Sequence, residues 1–133
     1  MNIFEMDCPC KGRYLDKMLQ PSILTALYQE DLHGFTLIRR LGEGPMFDGA
    51  EPDKAGVYRY LKKMEQAGLL RSGWQLDGEG ERPRKIYSIT DKGRDCLANW
   101  SLALKQYAGS IGALVEEMDG SMGGKPGRRK AEK

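Results

Sequence analysis

The stretch EPDKAGVYRYLKKMEQAGLL, residues 51–70, decides the fold. Val57, Leu61 and Met64 recur in it at the i, i+4, i+7 spacing of a helix, which predicts that they face a core. The opposite side carries one aromatic and three basic side chains, termed the basic face: Tyr58, Arg59, Lys62 and Lys63. A helix that is buried behind and basic in front is typical of one that enters a DNA groove, although an ordinary solvated surface helix has the same pattern.

Both ends of this predicted helix carry recognisable signals. The Asp53 side chain can accept hydrogen bonds from the free backbone N–H groups of the first turn, which makes it a suitable N-cap. Gly68 can end the helix in the left-handed conformation that other residues avoid. Leu69 and Leu70 then lead into an extended segment, so the sequence predicts a capped helix followed by a strand.

Length and composition limit the fold to one domain with an appendage. The chain has 133 residues, of which 40% are hydrophobic, and this predicts a packed core. It contains no apolar run that approaches the roughly 18 residues a membrane span needs. Residues 1–13 lack the apolar segment of a secretory signal, so we expect a cytoplasmic protein with reduced thiols and no membrane partner.

The formal net charge of +2 hides an uneven distribution. Residues 1–52 carry five basic and eight acidic side chains, whereas residues 53–94 carry ten basic and six acidic ones. The middle of the chain is therefore basic and the beginning is acidic. A local excess of positive charge favours a polyanionic partner more than the total charge does.

Two further helices are predicted before residues 51–70, with a turn at His33-Gly34 between them. Pro21 fits the first turn of the earlier helix, because its missing N–H is harmless there. We expect a buried stripe on the earlier helix, formed by Ile23, Leu24, Leu27 and Tyr28. The apolar residues Phe35, Leu37, Ile38 and Leu41 indicate the second helix. We interpret His33 as a structural residue of the turn rather than a catalytic one.

After these helices the pattern becomes extended. Trp74 and Leu76 lie two residues apart, the spacing of a half-buried strand, and Tyr87 and Ile89 repeat this spacing. Residues 78–83 supply turn chemistry between the two segments. The tip of the predicted β-hairpin carries three basic side chains, Arg82, Arg84 and Lys85. Three helices followed by such a hairpin predict a winged helix-turn-helix fold, mainly α with one small β-hairpin.

The rest of the chain predicts one long helix with an apolar stripe. Seven residues are spaced alternately three and four apart, the repeat of a helix–helix seam: Leu97, Trp100, Leu104, Tyr107, Ile111, Leu114 and Met118. This repeat favours a homodimer interface, although the helix could instead pack on its own domain. Gly109 and Gly112 weaken the helix, and they indicate either a kink or a close crossing.

The predicted organisation has four parts. Residues 1–13 form an irregular N-terminal arm, and residues 14–89 form the winged helix-turn-helix domain. Residues 90–118 form the C-terminal dimerisation helix, and residues 119–133 form a Gly-rich basic tail that we expect to be disordered.

Catalytic chemistry finds little support in the sequence. The chain has one histidine and shows no Ser/His/Asp or Cys/His arrangement, nucleotide-binding fingerprint or paired carboxylates. We therefore expect no enzyme activity and no cofactor.

The basic face, the basic hairpin tip and a two-fold dimer together predict a protein that binds double-stranded DNA. The alternative is a winged-helix protein-interaction module, whose binding would lack the steep salt dependence of DNA binding.

Cysteines and seam aromatics are the candidates for sensing a signal. Cys8 and Cys10 could bind a soft metal or form a redox-sensitive pair, with Cys96 as a third thiol from a partner chain. Inert reduced thiols are the alternative. Trp100 and Tyr107 could line an aromatic effector pocket between subunits, or they could form part of the dimer core. The identity of the effector ligand stays open.

Several short runs match a known family in their order along the chain. They are His33-Gly34-Phe35 with Leu37-Ile38 and Leu41, Val57-Tyr58 with Leu61, Glu65 and Gly68-Leu69, Arg82-Pro83-Arg84-Lys85, Tyr87-Ser88-Ile89-Thr90, and Lys92-Gly93-Arg94 with Leu97. Over residues 20–118 the chain thereby resembles the PadR-type transcriptional regulators. The resemblance implies a dimeric winged-helix repressor, in which the C-terminal helix and the partner's N-terminal helix form the interface. It also implies that Tyr58 contacts DNA.

One position departs from the pattern of that family. Many relatives have Gly followed by Thr or Ser before the aliphatic-Tyr pair, whereas Ala55-Gly56 precedes Val57 here. A hydroxyl that could hold a phosphate or a base is therefore absent. The departure affects which operator is bound rather than whether DNA is bound.

Overall fold

The computed structural model describes residues 18–47, 49–76 and 82–123. Its elements, numbered in chain order, are α1 (Leu19–Gln29), β1 (Leu32–His33), α2 (Gly34–Glu43), α3 (Lys54–Gln66), β2 (Leu70–Gln75), β3 (Arg84–Ile89) and α4 (Asp91–Met122). The three strands form an antiparallel sheet in the order β1-β3-β2. This mainly helical architecture with a small sheet and a long C-terminal helix confirms the predicted fold class. The chain divides into two compact units after Leu97.

The core of the first unit lies between three helices and one face of the sheet. Each helix contributes at least three buried side chains at helical spacing, as the sequence predicted. They are Ile23, Leu24 and Leu27 from α1, Leu37, Ile38 and Leu41 from α2, and Val57, Leu61 and Met64 from α3, and the sheet adds Leu32, Leu70, Tyr87 and Ile89. Because full burial of such a side chain contributes about 1.5–3 kcal/mol, this cluster is the main source of stability for the unit.

Two aromatic residues of these helices lie outside the core. Tyr28 on α1 and Phe35 on α2 are both 58% exposed, so the prediction that Tyr28 is buried is wrong. At 100° per residue, each lies roughly a quarter turn or more from the middle of its buried stripe. Each ring instead lies near a cation: Arg94 Cζ is 5.9 Å from the ring centroid of Tyr28, and Lys54 Nζ is 5.8 Å from that of Phe35.

The sheet differs from the predicted hairpin in two respects. Strand β1 adds a third strand, in which Leu32 pairs with Tyr87; a strand of two residues is too short to show an alternating pattern. Trp74 and Leu76 were expected to be half-buried, but they are 67% and 73% exposed. Leu70 at the start of β2 lies over the core, and the chain then extends beyond the core. The side chains of Trp74 and Leu76 are therefore exposed to solvent although they keep the alternating spacing of a strand.

The junction between α3 and α4 confirms the predicted helix ends. Gly68 has the left-handed φ of +84° expected of it, and the Leu69 N–H donates to the Met64 carbonyl. The Thr90 hydroxyl donates to the Gly68 carbonyl at 2.6 Å and accepts from the Gly93 N–H at 3.0 Å. One side chain thus joins the end of α3 to the first turn of α4.

Helix α4 is longer than predicted. It continues to Met122 rather than ending at 118, and Gly123 ends it with a φ of +57°. A single glycine within a helix costs only about 1 kcal/mol, so Gly120 does not stop it. The remainder of the predicted tail, from residue 124, lies outside the described residues, as does the arm at 1–13.

Candidate nucleic-acid interface

Helix α3 holds the basic face outward from a buried back. Asp53 caps the helix as predicted, since its Oδ2 accepts from the Gly56 N–H at 2.8 Å. Val57, Leu61 and Met64 anchor the opposite side in the core, each with 1% exposure or less. The four residues of the basic face are all exposed. The structure therefore brings these four predicted site residues together on one side of one rigid helix.

The ring of Tyr58 is positioned by the start of α2. A Cβ atom added at Gly34 would lie 2.6 Å from Cε1 of Tyr58, closer than real side chains approach. The lack of a side chain at Gly34 therefore lets the Tyr58 ring pack against the α2 backbone. This contact explains in physical terms why a glycine stands after His33. His33 itself has the structural role expected, because its Nε2 lies 2.7 Å from the Gln75 Oε1 of the hairpin.

A polar contact fastens the hairpin to α3. The Ser72 hydroxyl of β2 donates to Glu65 Oε2 of α3 at 2.8 Å. Opposite Ser72 in the sheet lies Tyr87, and burial raises the pKa of its hydroxyl above the ordinary value, with smaller contributions from Tyr58 and Glu65. The Tyr87 hydroxyl therefore stays protonated and neutral behind the basic face. The Ser72–Glu65 hydrogen bond thus fixes the position of the hairpin relative to α3.

The basic residues of the hairpin are placed differently from one another. Arg84 is exposed at the start of β3, and Arg82 is exposed two residues before it. Lys85 was interpreted as a tip residue, but it is half-buried within β3 and pairs with Trp74 across the sheet. Its Nζ lies 5.7 Å from the Trp74 ring and 5.9 Å from the Tyr87 ring. Such cation–π contacts hold Lys85 against the sheet, whereas Arg82 and Arg84 are exposed.

The sequence analysis did not identify the contact between Lys54 and Phe35, which lies beside the basic face. Lys54 lies one helical turn before Tyr58, and its Nζ approaches the exposed ring of Phe35. The i, i+4 spacing of Lys54 and Tyr58 was the available signal. Lys54 and Phe35 therefore add a cation and an exposed aromatic ring to the surface at the start of α3.

The apolar stripe of α4 is largely uncovered in a single chain. Four of its predicted members are between 49% and 61% exposed: Tyr107, Ile111, Leu114 and Met118. Leu97, Trp100 and Leu104 are half-buried. Contiguous exposed apolar surface of this kind marks sites of protein association.

Metal and membrane features are absent from the part of the chain that the structure describes. No group of three or more His, Cys, Asp or Glu side chains within it could hold a metal ion. Cys96 is half-buried, with its Sγ 4.0 Å from Gln20 Oε1. Cys8 and Cys10 lie outside the described residues. None of the described helices combines the length and the apolar character that crossing a bilayer requires.

Comparisons with known proteins agree on one family. The profile of the transcriptional regulator PadR-like family matches residues 23–99. A PadR family transcriptional regulator from Eggerthella lenta is 25% identical, with a TM-score of 0.70, and the match covers 84% of this chain and 94% of that one. A PadR-like transcriptional regulator from Bacillus cereus is 23% identical, with a TM-score of 0.65 and coverages of 76% and 94%. A search of curated proteins gave no match.

Proposed function

The chain belongs to the PadR-like family of transcriptional regulators, and we propose that it is a homodimeric, cytoplasmic repressor that binds specific double-stranded DNA. Membership of a regulator family agrees with the prediction that the protein is not an enzyme. The single observation that carries the proposal is the geometry of α3, whose back is fully buried while its front presents the basic face. Such a helix can enter the major groove without losing its place in the core.

In this proposal α3 is the recognition helix. Arg59, Lys62 and Lys63 supply charged donors for phosphates and base edges, and Tyr58 supplies a ring with a polar tip. Arg82 and Arg84 on the hairpin reach the adjacent backbone or minor groove, where the negative potential favours arginine. Lys85 contributes charge from within the sheet rather than from the tip. The hydrogen bond between Glu65 and Ser72 fixes the hairpin relative to α3, so the two DNA-contacting elements keep a constant spacing.

The dimer is proposed to form through the apolar stripe of α4. Its repeat of three and four residues is that of a helix–helix seam, and its middle is exposed in a single chain. A two-fold dimer presents two recognition helices to half-sites about one helical turn of DNA apart, roughly 34–36 Å. The operator would then be pseudo-palindromic.

Repression is proposed to be relieved by a small molecule, a metal or an oxidant. The thiols of Cys8, Cys10 and Cys96 are the candidates for the last two signals. A Cys8→Ser, Cys10→Ser double variant tests them. If the variant is still released from DNA by the same oxidant or metal, these thiols are not the sensor.

The role of the basic face can be tested by removing one charge. We expect Lys62→Ala to weaken binding to all DNA sequences about equally, and to lower the slope of log affinity against log salt by roughly one unit per phosphate contact. Arg84→Ala should act in the same way from the hairpin. Fluorescence anisotropy with matched and scrambled duplexes measures both quantities.

The matched control is Lys105→Ala, which removes the same charge from an exposed position on α4. It should leave affinity and slope unchanged. If Lys62→Ala instead altered discrimination at one base pair without loss of general affinity, Lys62 would be a base contact rather than a phosphate contact.

A protein-interaction module is the second candidate. The specific observation that favours it is the exposure of Trp74 and Leu76, two large apolar side chains at the end of β2. A module of this kind would show no steep loss of affinity with salt. Specific binding to DNA selected from random sequences would exclude it.

A further inference from the structure

A cavity of about 300 Å³ lies beside the first three turns of α3. Its walls combine apolar and aromatic side chains from three parts of the first unit with two cations of the basic face. The apolar walls are Leu19, Phe47, Pro52 and Tyr60, and the cations are Arg59 and Lys63. A volume of roughly 300 Å³ is at the lower end of the range for small-molecule sites, which are mostly apolar with a few polar groups that fix orientation.

The charges of the cavity favour an anion. Within the described residues, neither Arg59 nor Lys63 makes an ion pair or a side-chain hydrogen bond. Among the described residues of the lining, the one carboxylate is Asp53, whose Oδ2 accepts from the Gly56 N–H at 2.8 Å as the helix cap. Among the described lining residues, two cations without side-chain partners therefore stand against one carboxylate, so positive charge is in excess.

We propose that this cavity binds a small organic anion, a carboxylate or phosphate monoester with a compact apolar body, in competition with DNA. The apolar walls take the body of the ligand, and Arg59 and Lys63 bind its charged end through charge-assisted hydrogen bonds. The competition rests on the proposed function, because it requires that the same two cations face DNA. A ligand that binds only the DNA-free form lowers the apparent DNA affinity by the factor 1 + [L]/Kd.

Direct binding is tested on the full chain without DNA. Hexanoate and hexyl phosphate are the probes, and neutral hexanamide is the control for apolar binding without charge. In amide NMR spectra we expect both anions to shift the signals of Gly56, Arg59 and Tyr60, with weaker shifts from hexanamide. The relative affinities of the two anions identify the favoured head group.

Two variants locate the site. Lys63→Gln should weaken anion binding about tenfold, as expected for loss of a charged hydrogen-bond partner. Lys62→Gln is the matched control, since Lys62 is an exposed cation of the same helix outside the cavity lining, and it should bind as the wild type does. Gly56→Leu should abolish binding by filling the cavity while keeping both cations. Equal affinity in Lys63→Gln and Lys62→Gln would overturn the proposal.

The competition arm uses labelled DNA at constant ionic strength, with chloride in place of the probe as the control. We expect hexanoate to raise the apparent Kd for DNA by the factor calculated from its own Kd. If DNA binds and hexanoate acts no differently from chloride, the inference fails and the proposed function stands. If hexanoate maps to the cavity but no DNA is bound, the proposed function fails and the anion site stands.

Discussion

The Ile111→Asp variant is expected to sediment as a monomer at concentrations where we expect the wild-type chain to sediment as a dimer. Ile111 lies in the middle of the apolar stripe and is 49% exposed in a single chain. In the proposed dimer, two aspartates would be buried without partners and close to each other across the seam. An uncompensated buried charge costs about 3–5 kcal/mol, which weakens association on the order of a thousandfold.

The matched control places the same charge on the other side of the helix. Ala113 is exposed and lies on the face of α4 opposite the stripe, so Ala113→Asp should remain dimeric apart from a small loss of helix propensity. Loss of the dimer should lower the DNA affinity of Ile111→Asp, whereas Ala113→Asp should bind DNA as the wild type does. Unchanged sedimentation of Ile111→Asp would show that this stripe is not the dimer interface.

Gly93→Ala is expected to destabilise the first unit strongly. Gly93 is buried in the first turn of α4, and an added Cβ would overlap the Leu69 carbonyl oxygen and lie 2.7 Å from Cγ1 of Ile89. The Leu69 backbone cannot yield easily, because its carbonyl accepts from the Thr90 N–H at 3.1 Å. Overpacking costs about 1–3 kcal/mol, occasionally more. Because the clash at Gly93 is with a backbone atom, we expect the upper part of this range, which exceeds the roughly 1 kcal/mol gained from replacing glycine in a helix.

Thermal unfolding followed by circular dichroism measures this loss. For a domain of 60–100 residues, each 1 kcal/mol lowers Tm by about 4–8 °C. Gly109→Ala is the control, since nothing lies within 4 Å of a Cβ added at Gly109 on the same helix. That variant should gain up to about 1 kcal/mol from helix propensity. A Tm for Gly93→Ala at or above that of the wild type would contradict the packing described here.

The sequence predicted the fold where periodicity and chemistry agree. The helical spacing of Val57, Leu61 and Met64 identifies the buried side of α3 unambiguously, and Asp53 and Gly68 mark its ends through side-chain and backbone chemistry that act locally. The same local information places the basic face outward. These features need no knowledge of distant parts of the chain.

The remaining features depend on contacts between distant segments. Tyr28 and Phe35 are apolar in the sequence, but only the packed helices show that they fall at the edge of the buried stripes. The position of Lys85 depends on its cross-strand partner Trp74, which the register of the sheet decides. The burial of Gly93 depends on the path of the backbone at Leu69.

The cavity beside α3 could not be predicted for the same reason. Its lining combines the loop before α3 and the basic face with the start of α1, and Leu19 of α1 lies more than 20 residues before the loop in the sequence. Periodicity identifies which side of each helix is buried, but it carries no information about the space between a loop and a helix.

The salt dependence of DNA binding is the most direct test of the proposed recognition helix. The duplex is selected from random sequences by the full chain, and its affinity is then measured at several salt concentrations. We predict that log affinity falls linearly with log salt, with a slope of about −0.9 for each phosphate contacted, and that Lys62→Ala shows a shallower slope than the wild type. Failure to select any sequence, or an affinity that does not change with salt, would contradict a DNA-binding role for α3.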